Sequence, residues 1–255
     1  MTTKFKNILI TGASSGIGEG LSHYYSASGA ENLFICGRNQ ERLNTVKIQC
    51  EKFGAKVHAK IVDITDKEAV KKWIDECEKK APLNLVIANA GVASIMETDE
   101  NIYRTFDTNI YGVLHTILPA INIFQNRKKD NTPKAVAMLS SIAGYHGLPA
   151  CPSYSASKAC VKAYGEALRI PLSRDNIQVN VICPGFVKSR ITDQNTCPMP
   201  FFMETEKASM VIGERIEKNI ALIAFPWQMR LASWFVAMLP NAVSNFIYSK
   251  LPYKV

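Results

Sequence analysis

The chain lacks the cysteine spacing and the histidine content that a disulfide framework or a metal site requires. Its seven cysteines are an odd number, no two of them form a Cys-x-x-Cys pair, and only four histidines are present. The cysteines are Cys36, Cys50, Cys77, Cys151, Cys160, Cys183 and Cys197. We therefore predict no metal site, mostly buried thiols that act as small hydrophobic side chains, no signal peptide and a reducing, cytoplasmic location.

The chain also lacks a stripe of basic residues with interleaved aromatics, which a nucleic-acid-binding helix would carry. Its 30 lysines and arginines outnumber 22 acidic residues and give a net charge of +8 at pH 7, but they are spread along the sequence. The densest run, Arg127-Lys128-Lys129, precedes a turn-like segment and is interpreted as a solvated loop. We expect no nucleic-acid partner, because an anionic cofactor and an anionic membrane surface explain the excess charge better.

No internal repeat, low-complexity segment or linker divides the 255 residues. Short runs rich in Val, Ile and Leu alternate with amphipathic segments such as 40–53 and 67–80. These runs predict strands at 6–10, 32–36, 57–62, 83–88, 135–139, 179–183 and 221–225. The alternation predicts one α/β domain over residues 1–255, with a doubly wound, Rossmann-type parallel sheet and helices on both faces.

A glycine-rich segment, residues 11–18, follows the first predicted strand directly and is called the glycine loop below. Gly12, Gly16 and Gly18 have the spacing Gly-x-x-x-Gly-x-Gly, and a helix is predicted to begin there. Glycines at such a place permit tight turns and let the backbone approach a pyrophosphate at the helix N-terminus. An ordinary loop is the alternative, but the strand–loop–helix order favours a dinucleotide site.

Two further features suggest proton chemistry. Tyr154 and Lys158 are four positions apart, so they share one face of a helix. A nearby cation favours the phenolate, and we therefore expect Lys158 to lower the pKa of Tyr154 toward the range useful in acid–base catalysis. Ser141 ends the fifth predicted strand, at the sheet edge where ligands bind. Each residue alone has a structural explanation, but the combination favours a catalytic site.

Together these motifs resemble the short-chain dehydrogenase/reductase superfamily, whose members bind NAD(H) or NADP(H) and interconvert alcohols and carbonyls. The resemblance covers about residues 6–192, although Ala88 stands where the family has the first Asn of its Asn-Asn-Ala-Gly motif. It implies cofactor contacts in loops at the ends of several strands. The implied cofactor-binding residues are Gly12, Ser14, Ser15, Gly16, Ile17, Gly18, Arg38, Asn39, Asp63, Ile64, Asn89, Ala90, Gly91, Tyr154, Lys158, Pro184, Gly185, Val187 and Ser189.

The resemblance also implies catalytic roles. Ser141 would polarise the substrate carbonyl, Tyr154 would transfer the proton, and Lys158 would lower the Tyr154 pKa and bind the nicotinamide ribose. Asn109 would hold a water in the proton relay to Lys158. Ser140 is the rival of Ser141, whose spacing to Tyr154 fits the family better.

The end of the second strand bears on cofactor choice. An NAD site needs a carboxylate there to bond the ribose hydroxyls, whereas this chain has Gly37-Arg38-Asn39. Arg38 can form bidentate hydrogen bonds to a 2′-phosphate, and Asn39 or Ser15 can add donors. We therefore predict NADP(H), as in NADP-preferring members of the family. The alternative is that Arg38 stacks on adenine without discriminating, which leaves NAD(H) open.

Residues 186–218 are interpreted as the variable substrate lid of the family. The aromatic and methionine side chains of its first part are Phe186, Met199, Phe201, Phe202 and Met203. Such a lining suits a hydrophobic ketone or alcohol, with packing of the lid on the core as the alternative. His146 is expected at the edge of the substrate pocket, and His115 is expected to be packed along its helix.

Two functions from different classes follow. The first is an NADPH-dependent carbonyl reductase acting on a small-molecule ketone, aldehyde or alcohol. The second is a redox-silent NADP-binding protein used for sensing or scaffolding, which need not keep the complete set of Asn109, Ser141, Tyr154 and Lys158. A sugar-nucleotide epimerase is disfavoured, because those relatives carry a longer C-terminal domain. We also expect a homo-oligomer, either a dimer or a tetramer.

The tail, residues 226–255, departs from the usual ending of the family. No acidic residue follows Glu217, whereas several cations do. An apolar helical stripe is formed by Trp227, Leu231, Trp234 and Met238, widened by Phe235 and Leu239. Pro226 and Arg230 interrupt the run, so no spanning helix is expected. The tail is predicted to pack on its own domain or on another subunit, or to lie weakly and peripherally on an anionic membrane.

Overall fold

The computed structural model describes residues 2–94, 96–127, 131–193 and 198–250. The strands are β1 Asn7–Thr11, β2 Asn32–Gly37, β3 Lys56–Ile61, β4 Leu85–Ala88, β5 Lys134–Leu139, β6 Ile177–Pro184 and β7 Leu222–Phe225. They form one sheet in the order β3-β2-β1-β4-β5-β6-β7, and all neighbours are parallel. The predicted doubly wound sheet is confirmed, and each predicted strand overlaps an observed one.

Helices cover both faces of the sheet. They are α1 Gly16–Ala27, α2 Gln40–Glu51, α3 Lys67–Lys80, α4 Asp99–Phe106, α5 Gly112–Asn126, α6 Pro152–Ser173, α7 Arg190–Asp193, α8 Thr205–Glu217, α9 Trp227–Ala237 and α10 Asn241–Ser249. A π-helical turn, Asp107–Tyr111, joins α4 to α5, and a short 3-10 turn, Ile142–Gly144, follows β5. α2 ends before the predicted residue 53, because the chain reverses at Gly54, where φ is +93°.

The side chains of β1 show how both faces of the sheet are buried. Ile8 and Ile10 join a core cluster with α1, α2 and α8, whereas Leu9 joins a second cluster with α3, α5 and α6. All three side chains are fully buried. A strand covered on both faces is apolar at successive positions, which explains the uninterrupted Val, Ile and Leu runs of the sequence.

Four of the cysteines are buried as predicted. Burial raises the pKa of Cys36 and Cys77 to about 12 and the pKa of Cys50 and Cys183 to about 11. Thiols with such pKa values stay protonated at neutral pH and are poor nucleophiles. Of the other described cysteines, Cys151 is half-buried and Cys160 is exposed. Cys197 lies outside the described residues, as do Lys128 and Lys129 of the predicted basic loop.

The strand order reverses between β1 and β4. From β1 the chain builds β2 and β3 to one side, and it then crosses to build β4, β5, β6 and β7 on the other. In such sheets the carboxyl ends of the strands share one edge, and a crevice opens at the reversal point. The loops that carry the predicted site residues therefore meet at this edge, called the carboxyl edge below.

The tail forms α9 and α10 after β7. In the described part of the chain, no helix combines the length and the apolar character needed to cross a membrane. The predicted apolar stripe is present, but it points outward: Trp227 is 69% exposed and Met238 is 66% exposed. The tail packs on its own domain, which was one of the alternatives, but it does so through Met229 and Tyr248 and not through this stripe. Residues 251–255 of the tail lie outside the described residues.

Candidate active site

The glycine loop takes a shape that only glycine fits at two positions. Gly12 has φ +67° and Gly16 has φ +57°, in the left-handed region that favours glycine. A Cβ on Gly12 would lie 2.6 Å from the Cα of Ala90, so the loop leaves no room for a side chain. Ser15 is the N-cap of α1, but its side chain makes no capping hydrogen bond. The N–H groups at the start of α1 therefore remain suited to an anion.

Asn89 and Thr11 clamp the glycine loop to the loop after β4. The Asn89 Nδ2 donates to the carbonyl oxygens of Thr11 at 2.9 Å and Gly12 at 3.2 Å. In return, the Thr11 hydroxyl accepts the backbone N–H groups of Asn89 at 3.1 Å and Ala90 at 3.2 Å. Gly18 packs under the clamp, since a Cβ there would lie 2.3 Å from the Gly12 oxygen. Asn89 and Ala90, predicted as cofactor contacts, thus also set the shape of the glycine loop.

The end of β2 adjoins the glycine loop. A Cβ on Gly37 would lie 2.9 Å from the Ser14 hydroxyl oxygen. The next residue, Arg38, is exposed and makes no hydrogen bond or ion pair within the described ranges. Asn39 caps α2, where its side-chain oxygen accepts the N–H of Arg42 at 2.9 Å. The guanidinium of Arg38 and the Asn39 amide nitrogen are thus available to a ligand held by the glycine loop.

Asp63 and Ile64 follow β3. The Asp63 carboxylate accepts the N–H of Thr65 at 3.0 Å and its hydroxyl at 2.8 Å, and it stays exposed. Ile64 is buried, and its carbonyl oxygen accepts the His115 Nδ1–H at 3.0 Å. His115 is therefore held in its helix, as predicted. Ile64 also fills the space above Gly112, where a Cβ would lie 2.3 Å from its side chain.

Asn109 lies fully buried in the π-helical turn between α4 and α5. Its Oδ1 accepts the N–H of Val92 at 2.8 Å, and its Nδ2 donates to the Val92 oxygen at 2.9 Å and to the Ser157 hydroxyl at 3.0 Å. A Cβ on Gly91 would lie 3.1 Å from Oδ1 of Asn109 and 3.3 Å from Nζ of Lys158. Asn109, Gly91 and Lys158 are thus neighbours, and π-turns of this kind are frequent at functional sites.

The two serines at the end of β5 have different surroundings. The Ser140 hydroxyl donates to the Lys158 backbone oxygen at 2.6 Å and so fixes α6 to the strand. The Ser141 hydroxyl accepts the N–H of Ala143 at 3.1 Å and donates to the Pro184 oxygen over a long 3.4 Å. A weak donor bond is readily exchanged for a better acceptor. The environment therefore supports Ser141 rather than Ser140 as the substrate-facing hydroxyl.

Tyr154 and Lys158 lie one turn apart at the start of α6. The Lys158 ammonium is buried, donates to the Leu139 carbonyl oxygen at 2.8 Å and lies 5.6 Å from the centre of the Tyr154 ring. The turn after β5 presses on this helix, because a Cβ on Gly144 would lie 2.7 Å from the Lys158 backbone oxygen. Four predicted catalytic residues, Asn109, Ser141, Tyr154 and Lys158, are thereby brought to the carboxyl edge.

The pKa values of this pair differ from the sequence-based expectation. Burial raises the pKa of Tyr154 to about 12, and the hydrogen bond with Ser141 opposes that rise without cancelling it. Burial also lowers the pKa of Lys158 to about 8. The prediction that Lys158 lowers the Tyr154 pKa is wrong for this structure, since the ammonium faces Leu139 and burial dominates both groups. The phenol is therefore protonated at neutral pH.

The shifted pKa of Lys158 predicts a pH-dependent stability. The pKa of Lys158 is about 8 in the folded chain and 10.5 in the unfolded chain. Between pH 8 and pH 10.5 the unfolded chain therefore holds a proton on Lys158 that the folded chain has released, and the stability of the folded state rises with pH. In buffer without nucleotide, the free energy of unfolding of wild type relative to Lys158→Met should rise by about 2 kcal/mol from pH 8 to pH 10. Urea denaturation at several pH values measures it. A flat difference would contradict the burial of the ammonium.

The segment after β6 connects the lid to the glycine loop. The Pro184 oxygen accepts from Ser141, and Gly185 donates its N–H to Phe225 at 2.8 Å. Ser189 lies against the glycine loop, since a Cβ on Gly16 would come within 3.0 Å of its Cβ. Val187 is buried and forms a single parallel bridge with Met203. The four predicted residues of this segment therefore also lie at the carboxyl edge.

The lid itself is only partly described, because residues 194–197 lie outside the described ranges. Phe201 is 53% exposed and Phe202 is 42% exposed, so these aromatics do not simply pack the lid onto the core. Lys188 at the start of the lid pairs with Glu204 at 3.2 Å.

Glu97 was missed by the sequence analysis. Its Oε1 accepts both the N–H of Ser153 at 3.1 Å and the Ser153 hydroxyl at 2.8 Å. It therefore caps α6 one residue before Tyr154, where Cys151 makes no side-chain capping bond. A cap supplied by a residue 56 positions away leaves no local sequence signal.

Two tail residues were also missed. On α9, Met229 fills the space beside Gly185, where a Cβ would lie 2.7 Å from its sulfur. On α10, Tyr248 packs on His146 with 4.8 Å between the ring centres. His146 thus lies in the loop between Ser141 and Tyr154 as predicted, covered by the tail. These contacts place α9 and α10 beside the carboxyl edge.

Comparison with known proteins identifies a matching family, similar sequences and solved structures of the same fold. Residues 6–198 match the family described as short chain dehydrogenase. An uncharacterized oxidoreductase of Myxococcus xanthus (strain DK1622) is 34% identical over 242 residues, which cover 93% of this chain and 94% of that protein. A short-chain dehydrogenase from Sphingobium yanoikuyae in complex with NADPH has a TM-score of 0.79 at 22% identity, with 96% of both chains covered. One from Mycobacterium paratuberculosis bound to NAD has a TM-score of 0.73 at 22% identity, with 85% of this chain and 94% of that chain covered.

Proposed function

Because the chain belongs to the short-chain dehydrogenase family, we propose that it interconverts a ketone or aldehyde and an alcohol by hydride transfer, with a nicotinamide dinucleotide as redox partner. The observation that carries this proposal is the convergence of Ser141, Tyr154 and Lys158 beside the glycine loop. A redox-silent binding protein explains that convergence less well. Burying the Lys158 ammonium against a carbonyl oxygen, with no carboxylate to pair with it within the described residues, is unfavourable, and groups with perturbed pKa values cluster at functional sites.

The residues of the glycine loop fit a dinucleotide. A pyrophosphate needs close backbone approach and free N–H groups at a helix start, and Gly12, Gly16 and Ser15 supply both. Asp63 and Ile64 would hold the adenine end, and Asn89, Gly91 and the 184–189 segment would hold the nicotinamide end. When bound, the nicotinamide supplies or accepts the hydride.

The side chains of the site carry out proton transfer and orient the substrate carbonyl. The Tyr154 phenol, protonated at neutral pH, donates its proton to the carbonyl oxygen during reduction and takes it back during oxidation. The Ser141 hydroxyl donates to the same oxygen and orients it. The Lys158 ammonium, 5.6 Å from the centre of the Tyr154 ring, would hold the nicotinamide ribose. Asn109 holds the backbone of Val92 and positions a water beside Lys158.

We assign NADP(H) as the preferred cofactor. Arg38 is exposed beside the glycine loop, has no partner within the described residues, and can bond a 2′-phosphate in a bidentate manner. No carboxylate occupies positions 37–39 to bind the ribose hydroxyls or to repel a phosphate. The relatives do not choose between the two dinucleotides, since one solved structure holds NAD and the other NADPH.

Replacing Arg38 with Asp should reverse this preference. The variant loses an attraction to the 2′-phosphate and gains a repulsion, so the ratio of kcat/KM for NADPH over NADH should fall by about 100-fold or more. Arg174→Asp is the matched control, because Arg174 is exposed at the far end of α6. Equal use of both cofactors by the unmodified protein would contradict the assignment.

We propose a hydrophobic small-molecule substrate, because the exposed Phe201 and Phe202 lie in the lid. A panel of hydrophobic ketones, aldehydes and alcohols, assayed with NADPH and NADH by the absorbance of the reduced nicotinamide, tests the proposed function. Tight NADPH binding without turnover of any panel member would favour the redox-silent alternative.

We also propose a homo-oligomer and a cytoplasmic location, the latter supported by the buried, protonated thiols.

A further inference from the structure

The tail helices have an unusual distribution of side chains. Their large exposed apolar residues are Trp227, Leu231, Trp234, Phe235, Met238, Val243, Phe246 and Ile247. The residues turned toward the protein are mixed in character: Met229, Val236 and Tyr248 are half-buried, as are Gln228 and Ser233, and Ser244 is fully buried. In a helix that packs on its own domain the apolar side faces inward. Here the eight large apolar side chains named above remain exposed instead, and an exposed apolar surface of this kind marks an interaction site.

The charged residues of the tail itself have one sign. Arg230 on α9 and Lys250 after α10 are both exposed, and no Asp or Glu follows Glu217 in the sequence. Two tryptophans among the exposed residues add side chains that prefer the boundary between water and lipid. Both helices are short, about 16 and 14 Å long by their 11 and 9 residues, so they cannot cross a bilayer core of about 30 Å.

The patch is fixed to the catalytic part of the molecule. Met229 of α9 packs on Gly185, and Tyr248 of α10 packs on His146. Gly185 follows Pro184, the acceptor of the Ser141 hydroxyl, and His146 lies between Ser141 and Tyr154. A surface that covers α9 and α10 would therefore lie beside the mouth of the proposed substrate site.

We propose that the eight apolar residues named above, with Arg230 and Lys250, form a docking face for an anionic lipid bilayer surface. The two helices lie parallel to the membrane, with their apolar side chains among the acyl-chain ends and their cations at the phosphates. This face also brings the active site to a lipophilic substrate dissolved in the membrane, an inference that rests on the proposed function.

A second copy of the chain is the competing occupant. In a two-fold contact the same patch meets itself, so the cations of both copies would approach each other. The tail carries no acidic residue to balance them. An anionic bilayer offers the opposite charge, and this complementarity favours lipid.

Tryptophan fluorescence provides a direct test. Of the three tryptophans, Trp73 is 2% exposed, whereas Trp227 is 69% and Trp234 is 50% exposed. Vesicles of an equal mixture of phosphatidylcholine and phosphatidylglycerol should shift the emission of the full chain to shorter wavelength and sediment with the protein. Binding should weaken with added salt. Trp234→Glu should lower the vesicle affinity at least about tenfold, and joint replacement of Arg230 and Lys250 by Gln should lower it on the order of 30-fold.

The controls separate the alternatives. Ile170→Glu changes an apolar residue that is 73% exposed, at the far end of α6, and should bind vesicles like wild type. If Trp234→Glu fails to fold, Phe246→Glu takes its place. No emission shift and no co-sedimentation at low salt would overturn the proposal. The proposal would also be overturned if the tryptophan emission shifted with protein concentration in the absence of vesicles and the protein formed a dimer that Trp234→Glu dissociates.

Turnover distinguishes this proposal from the proposed function. The rate of reduction of a water-soluble ketone with NADPH should be equal in wild type and Trp234→Glu. Trp234 is exposed on α9 and takes no part in the proposed proton transfer. Vesicle binding without turnover would mean that the lipid-docking face exists and the proposed function is wrong. Turnover without vesicle binding would leave the proposed function intact and overturn the docking face.

Discussion

Tyr154→Phe should lower kcat by about 10²–10⁴-fold while NADPH affinity stays within about twofold of wild type. The substitution removes the hydroxyl that carries the proton but keeps the ring, so α6 and the neighbouring Lys158 should stay in place. Steady-state kinetics with a reducible ketone give kcat, and quenching of protein fluorescence gives the NADPH dissociation constant. Turnover close to wild type would refute the assignment of Tyr154 as the proton donor.

Tyr145→Phe is the matched control for this experiment. The Tyr145 hydroxyl is buried, has no hydrogen-bond partner within the described residues, and belongs to a phenol whose pKa is likewise raised to about 12 by burial. Its removal should leave kcat unchanged. A comparable loss in both variants would mean that buried phenols matter here for packing rather than for proton transfer.

Gly18→Ala should lower NADPH affinity on the order of 100-fold. The added Cβ would lie 2.3 Å from the Gly12 oxygen and 2.4 Å from Nδ2 of Asn89, so the clamp on the glycine loop must open. Gly18 does not have a positive φ, and the effect is therefore steric rather than conformational. Isothermal titration with NADPH measures the loss, and circular dichroism checks that the variant is folded.

Gly147→Ala is the control for the glycine substitution. Nothing lies within 4 Å of a Cβ placed there, and Gly147 is not among the residues with positive φ. NADPH affinity should be unchanged in this variant. Wild-type affinity in Gly18→Ala would show that the clamp between Asn89 and the glycine loop does not shape the cofactor site.

The fold was predictable because its determinants are local and repeated. Each strand buried on both faces gives a short apolar run, and each crossover helix gives an amphipathic one, as with α3, whose predicted and observed bounds agree. The glycine loop was predictable for the same reason, since its left-handed turns occur within the motif itself.

The parts of the site that were missed depend on contacts between distant residues. Glu97 caps α6 across 56 positions, and no spacing rule reports such a pair. The π-helical turn at Asn109 inserts a residue into a helix, and neither glycine nor proline lies within the turn to signal it. The pKa of Tyr154 was predicted in the wrong direction, because the helical spacing of Lys158 is visible in the sequence whereas burial of the pair is not.

The tail illustrates the same limit. The periodicity of Trp227, Leu231 and Trp234 correctly predicts an amphipathic helix. It does not tell which side of the helix faces the protein, because that depends on whether the domain offers an apolar surface to cover. Met229 and Tyr248 make the actual contacts, and the stripe remains outside.

The strand order has a consequence for how this protein can be modified. Arg38 follows β2 and Ser141 follows β5, and the order β2-β1-β4-β5 separates them by three strand spacings, about 14 Å. Arg38 is also exposed, so solvent and salt around its side chain weaken the field that it exerts. A change of charge at position 38 should therefore leave proton transfer at Tyr154 undisturbed. We therefore expect that substitutions at position 38 can change the cofactor preference of the protein without a compensating substitution among the residues of proton transfer.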